Sequence, residues 1–500
     1  MNPAHDAQLA RAIAVLGSAS DVGKSLVAAG LCRLFSDAGL DVAPFKAQNM
    51  ANQAGVTPEG LEMPRAQILQ AQACRLAPHV DMGPVLLKPL NQTGAQVIVL
   101  GRAAGIQEAK DYFRDTSQLA GLADAALLRL AARHELIVME GAGSPVELNL
   151  MDRDFVNLRP ARRLAGALVL VLDIHKGGVF AQAKGTLDLL PPEDRSRVIG
   201  LVVNRFKGDA SLFEAGITQL EAITGVPVLA VVPHLDHALD EEDRPFRIPV
   251  DAAAPAGTLK VGALLSPRVS NTEDLAPLLA EPDLYLTWIT DPRRALEQDL
   301  LILPGSKATV ADLAHHASTG LAEAVRQAHA RGAWILGLCG GYQMLGQSLL
   351  DEAGTEGGPA SWPGLGLLPT RTVFRTEKAT RPSDFESLWP EAGHALSGYE
   401  IHHGQTELVN AGGSPLLMDI GAEAGWHGER ALGSYLHGLL GNDAWRAALL
   451  NQIRSSRGLP TRAVSVADPL ENRIQRWAEH LRRSLRPGAW ERLLAAARPA

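Results

Sequence analysis

Cysteine is scarce in this 500-residue chain: Cys32, Cys74 and Cys339 are the only three, and none sits in a CxxC pair. That excludes a disulfide framework and a structural zinc site, and it points to a reducing compartment. Long apolar runs are also missing. The longest, Leu164 to Leu172, is about half the ~20 residues that a membrane span requires. The N-terminal residues mix charge with small side chains and lack the apolar centre of a signal peptide. There is no basic excess, since 47 Lys and Arg face 55 Asp and Glu for a formal net charge of −8. A nucleic-acid binder would normally carry the opposite balance. No internal repeat is found, which excludes a solenoid. The expectation is a cytoplasmic protein with small-molecule substrates and neither nucleic-acid nor membrane partners. What is present, 46% hydrophobic and 20% charged residues, is the composition of an ordinary globular chain. Its length suggests about three domains, or two large ones.

The first 235 residues alternate short apolar runs with helix-length segments. Ala12–Leu16 leads into a glycine-rich turn and a helical stretch from Lys24 to Ala38. Leu136–Met139, Ala167–Asp173, Val198–Val203 and Val228–Val232 follow as strand candidates. This alternation predicts βαβ units and a parallel sheet covered on both faces. The pattern then breaks into an acidic and Pro/Ala-rich stretch, read as a linker over 236–258. A second α/β alternation, with strand candidates Lys260–Leu265, Leu300–Leu303 and Ala333–Leu338, fills 259–450. Residues 451–500 hold ten arginines and four acids among Leu, Trp and Ala, as expected for a helical tail with solvated arginines.

Gly17-Ser-Ala-Ser20-Asp21-Val-Gly23-Lys24-Ser25 lies between the first strand and the first helix. A glycine-rich loop in that setting turns backbone N–H groups toward an anion, and the helix N-terminus adds partial positive charge. Lys24 would reach the β- and γ-phosphates, and the Ser25 hydroxyl would ligate Mg²⁺. Five residues, not the usual four, separate the first glycine from Gly23. Glu140 ends a strand candidate where a parallel sheet presents its ligands, a second position for Mg²⁺. Asp173 ends another. Asn204 either reads the adenine edge or forms a turn, and Asp21 either orients the attacking group or decorates the loop.

Gly337-Leu-Cys339-Gly340-Gly341 follows an apolar strand and opens a helical stretch, the pattern of a nucleophile elbow. The glycines suit a tight turn where side chains would collide. A helix N-terminus favours the attacking thiolate. The N–H of Gly340 is placed for an oxyanion, and the loop around Ser306 offers a second donor. A thiolate nucleophile needs a base. His437, in Tyr435-Leu-His437-Gly438, is the candidate; His402 and His403 are its rivals. In many amidotransferases an acid two residues beyond the histidine orients it, but that position here is Leu439. The orienting group therefore comes from elsewhere, or the pair works as a dyad.

Both constellations on one chain resemble the cobyric acid synthase family, glutamine-dependent amidases of cobalamin biosynthesis. Further stretches carrying the likeness are Pro44-Phe-Lys46-Ala-Gln48-Asn49-Met50, Arg65-Ala-Gln67, Pro84-Val-Leu-Leu-Lys88-Pro89, Gly177-Gly-Val-Phe180 and Gly398-Tyr-Glu-Ile-His402. The resemblance implies two doubly wound α/β domains with mainly parallel sheets. The first is similar to the dethiobiotin synthetase-like ATPases, which share the five-residue gap; the second is similar to class I glutamine amidotransferases. It implies Cys339 as nucleophile, His437 as base, and ATP with Mg²⁺ as co-substrate without a permanently bound cofactor. It also implies phosphate binding by Lys24 and Ser25, and a substrate or phosphate region at Lys46, Gln48, Asn49 and Lys88. The family's Tyr-Leu-His-Gly motif likewise lacks the downstream acid. His175-Lys176 replaces the family's Asp-Arg, and Pro64 stands where glycine is usual. Two rivals remain: cobyrinic acid a,c-diamide synthase and, from another class, a MinD-type nucleotide-switched ATPase that would leave Cys339 and His437 without a role.

Overall fold

Short runs that are apolar on every residue become the centres of two parallel sheets. The computed structural model describes residues 10–89, 94–108, 112, 115–235, 239, 248–356, 360–409, 414–418 and 424–498. It divides into two units: Met1–Ala51, Glu62–Asp243 and Pro469–Ala500 in one, Asn52–Leu61 and Arg244–Asp468 in the other.

In the first unit β1 (Arg11–Gly17) leads through the glycine-rich loop into α1 (Lys24–Asp37) and β2 (Val42–Phe45). β3 (Gln48–Met50) and α2 (Arg65–Ala73) follow, then β4 (Val85–Pro89), β5 (Gly94–Val99), β6 (Arg102–Glu108) and α3 (Ser117–Ala131). The unit continues with β7 (Leu136–Glu140), β8 (Ala167–Asp173), β9 (Val198–Phe206) and β10 (Val228–Pro233). Among the described residues the main sheet has the order β10-β9-β8-β1-β7-β2, parallel throughout. Alternate residues of β1 feed two different cores, Ala12, Ala14 and Leu16 into one, Ile13 and Val15 into the other. This is why the run shows no polar alternation. β2 is an edge strand and carries Pro44, which only an edge tolerates easily. Strands β3 to β6 form a second, mostly antiparallel sheet.

The second unit repeats the parallel plan. β11 (Leu259–Leu264), β12 (Leu284–Ile289), β13 (Leu300–Leu303) and β14 (Trp334–Leu338) precede α4 (Gly340–Leu345). Next come a long antiparallel hairpin of β15 (Thr370–Ser387) and β16 (Ala395–Leu408), then β17 (Gly425–His427), β18 (Ala431–Ser434) and α5 (Asp443–Ser456). The sheet order is β12-β11-β13-β14-β18-β17, with β17 antiparallel to β18 and the two-residue strand Ser414–Pro415 pairing antiparallel on the far side of β17.

The unit boundaries differ from those expected in three places. Residue 450 falls inside α5, so no break occurs there. Asn52–Leu61 belongs to the second unit although it lies early in the chain. The final helices, α6 (Leu470–Ser484) and α7 (Ala489–Ala497), belong to the first unit and are not a free tail. Trp477 Nε1 donates to the Leu26 carbonyl at 2.6 Å, Trp490 stacks on Phe35, and fully buried Arg33 grips Glu471 with two bonds of 2.6 Å. Much of the linker read over 236–258 lies outside the described residues; Val250, near its end, pairs with Trp288.

Candidate active site

The phosphate loop turns as its glycines require. Gly23 has φ 94°, and a Cβ there would collide with the Asn204 amide; a Cβ on Gly17 would stand 2.9 Å from the Lys24 side chain. Lys24 Nζ bridges the carbonyls of Ala19 (2.9 Å) and Gly143 (3.0 Å), so the ammonium is fixed over the loop. Asn204 is buried and donates Nδ2 to the Val22 carbonyl at 2.8 Å. It braces the loop from behind, which differs from the base-reading expectation. Asp21, at φ 58°, bonds Arg205 through its carbonyl (2.5 Å) and its carboxylate (3.1 Å), and Lys176 approaches to 3.6 Å. Asp173 is buried beside the same Arg205 at 3.2 Å.

Glu140 is a hub at the carboxyl end of β7. Its Oε1 accepts from Ser25 Oγ (2.7 Å) and Lys46 Nζ (2.9 Å), and its Oε2 accepts from Gln70 (2.6 Å) and Gln67 (3.3 Å). Burial alone would raise this carboxyl, but the Lys46 charge and the Ser25, Lys46 and Gln70 hydrogen bonds outweigh it and hold the group below its ordinary value. An ionised carboxylate beside a loop hydroxyl is a hard-oxygen donor pair of the kind Mg²⁺ takes together with substrate phosphates. The residues therefore fit that ion. Among the described residues no cluster of three His, Cys, Asp or Glu could hold a metal by itself.

The other expected substrate residues separate into two groups. Gln48 accepts a hydrogen bond from the Tyr112 hydroxyl and, with Ser20, Gly143 and Glu147, lines a cavity of about 280 Å³. Asn49 is buried against Gln67 at 3.0 Å, one step from Glu140. Lys88 is buried in a 2.6 Å ion pair with Glu62 and does not join the Glu140 cluster.

In the second unit Cys339 sits between β14 and α4 with φ 49° and ψ −106°, a conformation that is strained for any residue with a side chain. The flanking glycines are sterically required. A Cβ on Gly337 would lie 2.7 Å from the Gly341 carbonyl, and one on Gly341 would collide with the Leu303 carbonyl. A Cβ on Gly340 would stand 2.8 Å from Ser306 N, so the Ser306 loop lies directly against the elbow. The Ser306 hydroxyl is already committed, donating to Asp312 at 2.6 Å and accepting from Ala308 N at 3.1 Å. What that loop offers the site is its backbone.

His437 is buried, and its Nδ1 bonds Asp274 Oδ2 at 2.7 Å; Asp274 Oδ1 also accepts from Gly438 N at 2.8 Å. Burial opposes an imidazolium here, but the Asp274 carboxylate and then the Cys339 sulfur raise the ring well above its ordinary pKa. With Nδ1 committed, Nε2 remains for the sulfur side. Asp274 comes from the first turn of the nine-residue 3₁₀-helical stretch Thr272–Ala280 after β11 and was not anticipated. The usable signal was its place beyond the carboxyl end of a parallel strand, the same reasoning that singled out Glu140.

The segment Gly398–His402 proves to be part of this centre. Gly398 leaves room for the His437 carbonyl, and Tyr399 pairs with the His437 backbone (2.9 and 3.2 Å) while its ring stacks on the imidazole at 5.1 Å. Buried Glu400 is tied to Arg381 (2.5 Å) and Ser383 (3.0 Å). The Ile401 carbonyl accepts from Cys339 Sγ at 3.6 Å. His402 stacks on Tyr435 and places Nδ1 on the Gly404 carbonyl at 2.7 Å, while His403 bonds the Arg375 carbonyl at 3.2 Å. His437 combines a hydrogen-bonded carboxylate, Asp274, with an interaction with Cys339.

Comparison with known proteins agrees with both halves. Residues 13–246 match the CobQ/CobB/MinD/ParA nucleotide binding domain, and residues 260–445 match the CobB/CobQ-like glutamine amidotransferase domain. The cobyric acid synthase of Chlorobaculum tepidum is 47% identical over 485 residues, covering 94% of this chain and 96% of that protein. Those of Chlorobium phaeobacteroides strain BS1 and Klebsiella pneumoniae are each 44% identical, over 96% and 90% of this chain and 98% and 90% of their own lengths. With both domains matched in order and nearly the whole length aligned at such identity, the chain belongs to the cobyric acid synthase family.

Proposed function

We propose that this chain amidates the b, d, e and g peripheral carboxylates of adenosylcobyrinic acid a,c-diamide, taking nitrogen from glutamine and energy from ATP. The observation that carries the reading is the strained Cys339 beside a buried His437–Asp274 pair, on the same chain as a loop that joins Lys24, Ser25 and Glu140.

Cys339 Sγ attacks the carboxamide carbon of glutamine, and the carbonyl π pair moves onto oxygen. The N–H groups of Gly340 and Ser306 hold that oxyanion, and one such donor contributes roughly 3–4 kcal/mol. His437 gives its Nε2 proton to the departing nitrogen, so ammonia leaves and a glutamyl thioester remains. The neutral imidazole then takes a proton from water, whose oxygen displaces the sulfur as glutamate forms.

In the first unit a substrate carboxylate oxygen attacks the γ-phosphorus and ADP departs. Ammonia then adds to the acyl phosphate carbon and inorganic phosphate leaves. Activation is needed because a free carboxylate would have to expel oxide. Lys24 and the loop N–H groups stabilise charge on the transferring phosphoryl group. Ser25 and Glu140 would hold Mg²⁺, which when bound neutralises phosphate charge. The cavity beside Ser20 and Gly143 is smaller than a typical ligand pocket, and we assign it to one carboxylate arm rather than to the macrocycle.

Incubation of the purified protein with ATP, glutamine and candidate corrinoids tests this by mass spectrometry. Each acid-to-amide conversion lowers the substrate mass by a single unit. ATP hydrolysis with no such stepwise change would exclude the assignment. The a,c-diamide synthase reading predicts conversion of cobyrinic acid itself, so the same experiment separates the two.

A further inference from the structure

His402 remains after the mechanism has used His437. Its Nδ1 lies 2.7 Å from the Gly404 carbonyl, which can only accept, so Nδ1 carries the proton and Nε2 is a bare lone pair. Burial holds the ring neutral, with its pKa lowered to about 4. Nε2 is buried and has no hydrogen-bond partner among the described residues. The ring cannot swing away freely. It stacks on Tyr435 with centroids 3.6 Å apart and planes 10° apart, and Tyr435 is itself pinned by Thr406 (2.6 Å) and Gln343 (3.3 Å). The preceding residue, Ile401, has its carbonyl on Cys339 Sγ. His402 also interacts electrostatically with His437. A fixed, neutral acceptor therefore stands unmatched on the residue that follows Ile401, whose carbonyl meets the nucleophile.

We propose that His402 Nε2 accepts a hydrogen bond from the carboxamide N–H of bound glutamine and so selects glutamine over glutamate. The inference rests on the reading of Cys339 as the glutamine-hydrolysing nucleophile. A buried acceptor left unpaired carries its full desolvation cost, and a ligand N–H removes that cost. Glutamine's amide supplies the donor. Glutamate at neutral pH offers only oxygen lone pairs, which would face the nitrogen lone pair, so the same contact disfavours retention of the product. Sites built to hydrogen-bond a polar group discriminate strongly against analogues lacking it.

The test uses the full-length enzyme with His402→Phe, which keeps a ring on Tyr435 but removes both nitrogens, and His402→Gln, which restores an acceptor near the Nε2 position. Two quantities are read: KM and kcat for glutaminase turnover, and the rate of Cys339 labelling by the diazo-ketone analogue of glutamine, whose diazomethyl group replaces the carboxamide nitrogen. His402→Phe is expected to raise KM for glutamine roughly ten-fold or more with a smaller change in kcat. The labelling rate should stay near that of the parent, because the analogue has no amide N–H to lose. His402→Gln should recover part of the KM. An unchanged KM in His402→Phe overturns the proposal. So do equal losses toward glutamine and the diazo ketone in both variants, which would place the contact on the shared amino-acid end or on the fold of β16 itself. A parent enzyme that neither releases glutamate nor reacts with the analogue would overturn the underlying glutaminase reading as well.

Discussion

Asp274 and His437 are 163 residues apart in sequence and 2.7 Å apart at Oδ2 and Nδ1. The acid that amidotransferases often carry two residues beyond the histidine is Leu439 here, and Asp274 occupies its functional place from the opposite end of the unit's sequence. Its second oxygen binds Gly438 N, so the carboxylate fixes both the ring and the turn that bears it. A buried imidazolium without that partner would be strongly disfavoured.

Replacing Asp274 by Asn removes the charge but keeps the shape. Burial then dominates and the His437 pKa falls. Glutaminase kcat should drop by roughly 10²–10³-fold, and the alkaline limb of its pH profile should move to lower pH. The stability sign follows from the raised folded pKa. The Asp274–His437 attraction stabilises fully below about pH 6.5 and is lost as pH rises through the folded value. Urea unfolding of both proteins across pH checks this; a stability gap that widens with rising pH would contradict it.

Glu140 offers the opposite sign. Its folded pKa is depressed, so the stability it contributes is present above the unfolded value of about 4.3 and is lost as pH falls through the folded value. Glu140→Gln removes the carboxylate charge that lies 2.9 Å from the buried Lys46 ammonium, and breaking a buried pair in this way costs about 3–5 kcal/mol. ATP-dependent amidation should be lost while glutamate release continues. Unfolding curves with separate assays of the two activities measure both effects, and a variant of parental stability would remove Glu140 from the role of hub.

Backbone space at the elbow gives a paired test. Gly341→Ala drives a methyl group into the Leu303 carbonyl, where backbone must move, and should destabilise by about 1–3 kcal/mol or more with loss of glutaminase activity. Gly121→Ala, within α3 and with nothing nearby, should stabilise by about 0.4–1 kcal/mol. Calorimetry that ranked the two variants the other way would show that the turn relaxes more easily than its contacts indicate.

Much of the architecture was legible because the central strands are covered on both faces. Ile137 and Val138, or Leu170 and Val171, are apolar in succession since neighbouring residues enter different cores. Val42–Phe45 was hidden by Pro44, and Leu284–Ile289 by its exposed-looking Tyr285 and Thr287. The loop and the elbow were readable because glycine is needed there for steric reasons that leave a local pattern. Asp274 left no such pattern: one of two adjacent acids in a 3₁₀-helical stretch, it is marked in sequence just by following a strand candidate, and its role shows when β11 and β18 bring distant residues to one end of a sheet. The same holds for Lys88, whose charge reads as a ligand until Glu62 is found against it. The arginine-rich tail misled because its periodic apolar residues, Ile474, Trp477 and Leu481, join a core built by α1 and by alternate residues of the first unit's strands, far away in sequence.

Two further variants separate the nitrogen source from the phosphorylating chemistry. Cys339→Ser keeps the elbow but replaces the sulfur nucleophile with a hydroxyl, a far weaker one that His437 has not evolved to activate. Glutamine-dependent amidation should fall below detection, whereas amidation with added ammonium salt should persist, since ammonia is the only product the first unit needs. Lys24→Ala removes the ammonium that spans Ala19 and Gly143 and should abolish amidation from either nitrogen source. It should leave glutamate release intact, because no step at Cys339 uses the nucleotide. Assaying glutamate, ADP and amidated corrinoid in parallel for both variants gives complementary losses if the two chemistries are separate. Loss of ammonia-dependent amidation in Cys339→Ser would instead mean that the thiol takes part in the phosphorylating half.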